Sequence, residues 1–198
     1  MSTGLTKAQM EAIYRLTLEE NASRADAITS ACQIEQALRG LLRTAMIDDP
    51  KVDDLFEDSY GPLSTFSSQI QCAWAIGLID GEVRKDLDYI RRIRNRFAHE
   101  NEQKLFSTNP VREWLQQLSP VKNGRVIIKD HSRSEYGEAV FEIRLTLMAL
   151  MLQKLDGEES LEQNRETCRK MVNDTVDAVA PPHAANKGVD PMGGRTGE

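Results

Sequence analysis

The sequence has few of the residues that build metal centres and disulfide frameworks. Its 198 residues include three cysteines and three histidines. Cys32, Cys72 and Cys168 are far apart and form no CxxC pair, so we expect reduced thiols rather than disulfides or a zinc site. The motifs of phosphate-binding loops, dinucleotide folds, zinc proteases and serine hydrolases are missing too. No metal and no cofactor is therefore predicted.

Long hydrophobic runs and an excess of positive charge are also missing. The most apolar stretch, residues 145–152, is too short to cross a membrane, and the first residues have no basic-then-apolar signal pattern. We expect a cytoplasmic protein with no membrane contact. The net charge of −6 argues against broad DNA binding, because phosphate neutralisation requires a basic surface. No compact helix-turn-helix with a basic recognition helix occurs, so specific DNA binding is not expected.

Most of the chain has the 3.6-residue spacing of apolar side chains that predicts amphipathic helices. The fold class is therefore all-α, a bundle of about six or seven helices. Residues 126–128 are the only strand-like run. The two tryptophans and the cysteines are expected in the core. The predicted helices cover residues 7–18, from Ser23 or Asp26 to 46, 50–57, 64–76, 80–99, 111–118, 136–155 and 161–179, with Asp80 and Asn109 as caps and Gly77 as a helix end.

Four parts of the chain are distinguished by this pattern. We expect an N-terminal helix in residues 1–21, a main helical domain in residues 22–156 and a C-terminal helix in residues 157–180. Residues 181–198 are rich in Pro, Gly and polar residues, a composition that predicts a disordered tail.

The most informative segment is residues 90–100, IRRIRNRFAHE, which contains the spacing R-N-x-x-x-H. A histidine with a pKa near neutrality can take a proton from an RNA 2′-hydroxyl or return one to a leaving oxygen. An arginine can stabilise the charge that develops on phosphorus. Arg94 and His99 are thus a candidate catalytic pair that needs no metal, with Asn95 beside them to orient either group.

Geometry and chance both weaken this hypothesis. Arg94 and His99 lie about 140° apart on an ideal helix. They converge only if the helix ends near Ala98 or if a second subunit packs across this end, and a cleft shared in a dimer is the more natural arrangement. Arg92 with His99 and Arg125 with His131 have similar spacings. The alternative is a salt-bridged helix end without chemistry.

Glu35 adds a second element to the site. It lies on the inner stripe of the long helix, where a carboxylate must be paired because burying a lone charge is costly. Arg94, on the core edge of another helix, is the obvious partner. One interpretation is an ion pair that only locks two helices together. The other is that the pair also positions Arg94 for a ligand.

Several ordered blocks of the sequence resemble the mannitol operon repressor family. They are residues 32–49 (CQIEQALRGLLRTAMIDD), 61–79 (GPLSTFSSQIQCAWAIGLI), 86–99 (DLDYIRRIRNRFAH) and 106–112. The resemblance covers roughly residues 22–155. It implies an all-helical, dimeric cytoplasmic protein linked to control of sugar-alcohol operons. Because the sequence contains no DNA-reading helix, we expect such control to act through a protein contact.

The R-N-x-x-x-H element also resembles the HEPN superfamily of helical, often dimeric domains, many of which are metal-independent endoribonucleases. By position, Arg94 and His99 match the catalytic pair of that superfamily. Asn95 matches the polar residue after the arginine, and Glu35 resembles the acid on an earlier helix. Other members of the superfamily have no activity and serve as binding modules.

Three functions follow, in order of preference. The first is a regulatory protein on a HEPN-like helical homodimer, which acts through protein contacts at a patch formed by Arg91, Arg92 and Arg96. The second is a metal-independent endoribonuclease of a toxin or defence system, with RNA as its substrate. The third is a repressor that binds DNA directly.

Overall fold

The computed structural model describes residues 5–57, 60–99, 105–130, 132–156 and 169–170. In these ranges the regular structure is entirely helical, which confirms the predicted all-α class. The six α-helices and one 3-10 helix are α1 (Lys7–Thr44), the 3-10 helix (Pro50–Phe56), α2 (Phe66–Ala75), α3 (Gly81–His99), α4 (Val111–Gln117), α5 (Ser119–Lys122) and α6 (Arg133–Asp156).

Helix α1 is one continuous helix of 38 residues, and the expected separate helices at its start were wrong. It begins at Thr6, whose hydroxyl accepts from the Gln9 backbone N–H while the Gln9 side chain accepts from the Thr6 N–H. Ser23 and Asp26 can cap a new helix, but no Gly or Pro precedes them to end the first one. The predicted boundary between residues 21 and 22 therefore falls inside α1, while the domain division itself stays a prediction.

The long helices pack side by side around one apolar core. Helix α1 contacts α6, α3 and α2, and α3 also contacts α2, α4 and α5. From α1 the core receives Ala27, Ala31, Ile34, Leu38, Leu41 and Leu42. This apolar stripe ends near Ser23 on the N-terminal side, because the first turns of α1 expose most of their side chains. The core thus holds α3 against the middle of α1.

Helix ends agree with the sequence in most places. Asp80 caps α3 by accepting from the backbone N–H groups of Glu82 and Val83. Gly77, with φ of +75°, follows the end of α2 as expected. At α4, however, Pro110 is itself the N-cap and Asn109 makes no cap hydrogen bond. Its side-chain amide donates to the Glu113 carboxylate instead, 2.6 Å away.

Three expectations about core residues and strands were wrong or only partly right. Trp74 is 46% exposed, because its ring packs under the Arg84 guanidinium at 4.1 Å on the surface. Cys32 is exposed and Cys72 half-buried, so neither thiol is fully in the core. Val126 is buried in a loop where its N–H donates to the Pro120 carbonyl, and residues 126–128 form no strand.

Several predicted features lie outside the residues that the structure describes. This applies to most of the predicted helix over 161–179, to the predicted tail from residue 181, and to Cys168. Among the helices that the structure describes, none combines the length and apolarity needed to cross a membrane.

Candidate functional site

Helix α3 holds the residues of the candidate site in a fixed order around its axis. Its inner side buries Leu87, Ile90, Ile93 and Phe97, at the three- and four-residue spacing of a helix face. The helix is unbroken from Gly81 to His99. Side-chain directions along it therefore follow the 100° step of a regular helix.

Arg94 lies on the side of α3 that faces α1. Its Nη2 atom is 3.7 Å from Oε2 of Glu35, and the two side chains are 30% and 25% exposed. The ion pair predicted from the sequence is therefore present between the two helices. Within the described residues, the buried Nε atom of Arg94 has no hydrogen-bond partner. The pair joins α1 to α3 and keeps the guanidinium at the helix–helix boundary.

His99 and Asn95 lie on a different side of α3. His99 is the last residue of the helix and is exposed, and Asn95, four residues earlier, is half-buried on the same face. The two side chains could meet inside one subunit only if α3 ended near Ala98. The helix continues through His99, so within one chain they do not meet. Arg94 and His99 stay about 140° apart in one chain.

The outer face of α3 consists instead of Lys85, Asp88, Arg92, Asn95, Arg96 and His99, which recur at three- and four-residue intervals. The helix carries six Lys and Arg side chains against three acidic ones, whereas the whole chain has a net charge of −6. The outer face is thus a local basic surface on an acidic protein.

The predicted patch of three arginines is only partly on this face. Arg92 is exposed, with its guanidinium 5.7 Å from the Tyr89 ring. Arg96 is half-buried on the same side. Arg91 lies at the edge, where its Nη2 atom is 3.2 Å from Asp88. The similar spacing of Arg125 and His131 cannot be compared with that of Arg94 and His99, because His131 lies outside the described residues. Arg125 itself lies 4.0 Å from Glu142.

An aromatic stack fixes the chain after α3. The Phe106 ring lies 4.9 Å from Phe97 at the end of α3 and 4.5 Å from Tyr136 at the start of α6. All three side chains are buried. The stack therefore attaches the end of α3, and with it the outer face near His99, to α6.

Asp86 of α3 is a buried acid that was not predicted from the sequence. Its carboxylate accepts from the Ser119 backbone N–H at 2.8 Å and from the Ser119 hydroxyl at 2.5 Å. Burial raises the pKa of Asp86 to about 6, although the hydrogen bonds from Ser119 lower it. The available signal was the position of this acid beside Leu87 on the apolar stripe, the same signal that identified Glu35.

Metal ligands are not clustered in the described ranges. No group of three or more His, Cys, Asp and Glu side chains there is placed to hold a metal ion. What α3 does provide is a set of hydrogen-bond donors and positive charges, which suit an acidic or phosphorylated surface.

In the part of the chain that the structure describes, the fold is all-helical and α3 exposes a charged surface. A family model described as Mannitol repressor matches residues 13–167, which is most of the chain. The chain belongs to the mannitol repressor family, and this supports a regulator of the mannitol operon repressor type. No curated protein and no solved structure matches it.

Proposed function

We propose that the protein regulates a sugar-alcohol operon in the cytoplasm through protein contacts, as a dimer of HEPN-like helical subunits. The observation that carries this proposal is the outer face of α3, an exposed basic surface on a protein that is acidic as a whole. A partner with an acidic surface is complementary to it in charge, which speeds association and selects among partners.

DNA fits this surface less well. Asp88 lies between the basic residues of α3, and the chain outside the helix is strongly acidic. Non-specific affinity for DNA grows with the number of phosphates that a protein neutralises, and a narrow basic strip neutralises few. A protein partner needs only a patch of matching size.

Support for a dimer comes from the apolar face of α1, formed by Met10, Ile13, Tyr14 and Leu18. Each of these side chains is more than half exposed. They follow the helix at three- and four-residue spacing, so they form one continuous stripe. Exposed apolar stripes of this kind mark interaction sites, and two copies packed together cover both stripes.

Reversal of one charge on the outer face tests the protein contact. We expect Arg92→Glu to slow association with the partner and to weaken its binding about fivefold, because an unfavourable charge replaces a favourable one at an exposed position. Arg112→Glu, on exposed α4, makes the same change elsewhere and should leave binding intact. The measurement is surface plasmon resonance with the partner that co-purifies with the full chain, together with transcription of the operon in cells.

A ribonuclease is the second candidate, because Arg92, Asn95 and His99 share one exposed face. In that case Arg92, rather than Arg94, is the arginine nearest in direction to His99. Cleavage of RNA in EDTA that leaves cyclic-phosphate ends, and that His99→Ala abolishes, would establish this function. If this cleavage is found and Arg92→Glu also leaves transcription of the operon unchanged, the regulatory proposal is overturned.

The dimer is tested by a charge on the apolar face of α1. We expect the native chain to have twice its 22.3 kDa mass in light scattering, and Tyr14→Lys to be a monomer, because burying an unpaired charge between two helices is costly. Lysine is also a better helix former than tyrosine, so helix content should not fall. Ile47→Lys, at another exposed apolar position, is the control that should remain dimeric. A native monomer at micromolar concentration would contradict the proposal.

A further inference from the structure

A groove of about 500 Å³ lies between α1 and α6, away from the outer face of α3 and from residues 10–18 of α1. Its volume is within the range of about 300–1,000 Å³ that is usual for small-molecule sites. The residues that decide its chemistry are Gln33, Ala37, Gly40, Arg144, Met148 and Met151. Each of them is exposed or half-buried, so a ligand in the groove can contact them directly.

The two helices run in the same direction along the groove. Arg144 of α6 donates to Gln33 of α1. Seven residues further along both helices, Met151 lies beside Gly40. Arg144 is therefore at one end of the groove and Met151 is at the other, and seven residues of helix separate these ends by about 10 Å.

The Arg144 end of the groove is positively charged. Among the described residues that line the groove, Arg144 alone carries a charge. Its Nη1 atom donates to Oε1 of Gln33 at 3.2 Å, which orients the guanidinium and leaves its charge in place. The residues three and four positions before and after Arg144 on α6 are apolar, so no acid at these positions neutralises it. This end suits a carboxylate, which a guanidinium can hold with two parallel hydrogen bonds.

The opposite end of the groove is apolar. Met148 and Met151 follow Arg144 at four- and three-residue spacing, so the three side chains lie on one face of α6. Leu155, which is 61% exposed, continues this apolar face beyond the groove. On the α1 side, Gly40 leaves space that a side chain would fill. Because thioether side chains adjust to ligands of irregular shape, this end suits an alkyl chain.

The chain after α6 contacts a different side of this helix. Arg169 contacts the Glu142 carboxylate. Glu142 points about 160° away from Arg144 around the α6 axis. The contact of Arg169 therefore lies on the other side of α6 and does not compete with a ligand in the groove.

We propose that the groove binds a straight-chain carboxylate of about eight carbons, with its carboxylate at Arg144 and its alkyl chain along Met148 and Met151. At a carbon–carbon bond length of about 1.5 Å, an extended chain of this size covers the distance between the two ends of the groove. The site requires neither the partner protein nor the dimer, so a direct binding measurement separates its failure from theirs.

Calorimetric titration of the full chain with octanoate, octan-1-ol and acetate at neutral pH tests the proposal. We expect saturable binding of octanoate, and binding of octan-1-ol about tenfold weaker, because the alcohol keeps the chain and loses the charge. Acetate keeps the charge and lacks the chain, so it should not saturate the protein over the same range. Absence of saturable octanoate binding, or equal affinity for octanoate and octan-1-ol, would overturn the proposal.

Arg144→Gln locates the carboxylate of the ligand. We expect this variant to bind octanoate about tenfold more weakly and octan-1-ol unchanged, since it removes the charge and keeps a polar side chain. Arg112→Gln, on exposed α4, makes the same change elsewhere and should bind octanoate normally. If Arg144→Gln bound octanoate as tightly as the native chain, the assignment would be wrong.

Gly40→Leu locates the alkyl chain. A Cβ at Gly40 would lie 3.5 Å from the Met151 sulfur, an ordinary contact, so a larger side chain can enter the groove. Leucine is a better helix former than glycine, so the variant should fold. We expect it to abolish saturable binding of octanoate and of octan-1-ol, whereas Tyr14→Lys, on the apolar face of α1, should bind octanoate normally. Binding that is kept in Gly40→Leu, or lost in Tyr14→Lys, would place the ligand elsewhere and overturn the proposal.

Discussion

Phe106→Ala is expected to lower the free energy of unfolding by about 4 kcal/mol, within the range for removing a buried aromatic ring from a core. Phe106 is 1% exposed and stands between Phe97 and Tyr136, with ring centroids 4.9 and 4.5 Å away. The alanine variant loses the buried area and both ring contacts, and it leaves a cavity between α3 and α6.

Urea unfolding followed by circular dichroism measures this loss. Phe106→Leu is the matched control and should cost about 1.5 kcal/mol, since it keeps much of the apolar volume and loses the ring contacts. Amide exchange near the end of α3 should accelerate in Phe106→Ala before the rest of the core responds. A loss below about 1 kcal/mol would mean that the stack is not a main support of the core.

Asp86→Asn is expected to change how stability depends on pH. The pKa of Asp86 is raised from 3.8 to about 6 by burial. Between these two values the folded protein holds a proton that the unfolded chain has already lost, so native stability falls as pH rises from about 4 to about 6. The loss attributable to this group is about 3 kcal/mol, at 1.36 kcal/mol for each pKa unit.

Asparagine cannot ionise, so the variant should escape this loss while its side-chain oxygen still accepts from the Ser119 N–H. Relative to the native chain, Asp86→Asn should therefore gain about 3 kcal/mol of stability between about pH 4 and about pH 7. Urea unfolding of both proteins across this range gives the difference directly. Leu115→Ala, which removes buried apolar volume without a titrating group, should be destabilised equally at both ends. A difference independent of pH would contradict the raised pKa.

Much of the fold was predictable because it depends on local patterns. The helix starts at Asp80 and Pro50 and the end near Gly77 follow from capping residues and from glycine, which act within one turn. The Glu35–Arg94 ion pair was predictable for a different reason. Each residue interrupts an apolar stripe, and charges in such positions need a partner.

Other features depend on contacts between distant parts of the chain. The continuity of α1 through Ser23 is an exception, because the absence of Gly and Pro between residues 7 and 26 was a local sign of it. Trp74 looked like a core residue because its contact with Arg84 is made across two helices. Asp86 meets Ser119 only after α5 has packed on α3. The spacing of apolar residues along a helix predicts neither the Trp74–Arg84 contact nor the Asp86–Ser119 hydrogen bonds.

Helix α1 has a mechanical consequence. Its 38 residues form a rod of about 57 Å at 1.5 Å per residue. Along this rod lie, in order, the exposed apolar face of residues 10–18 and the ion-pair residue Glu35. Because the backbone of α1 is hydrogen-bonded as one helix through both positions, a tilt imposed at one of them moves the other with it. The apolar face that we propose as the dimer contact and the ion pair that holds α3 therefore lie on one continuous element.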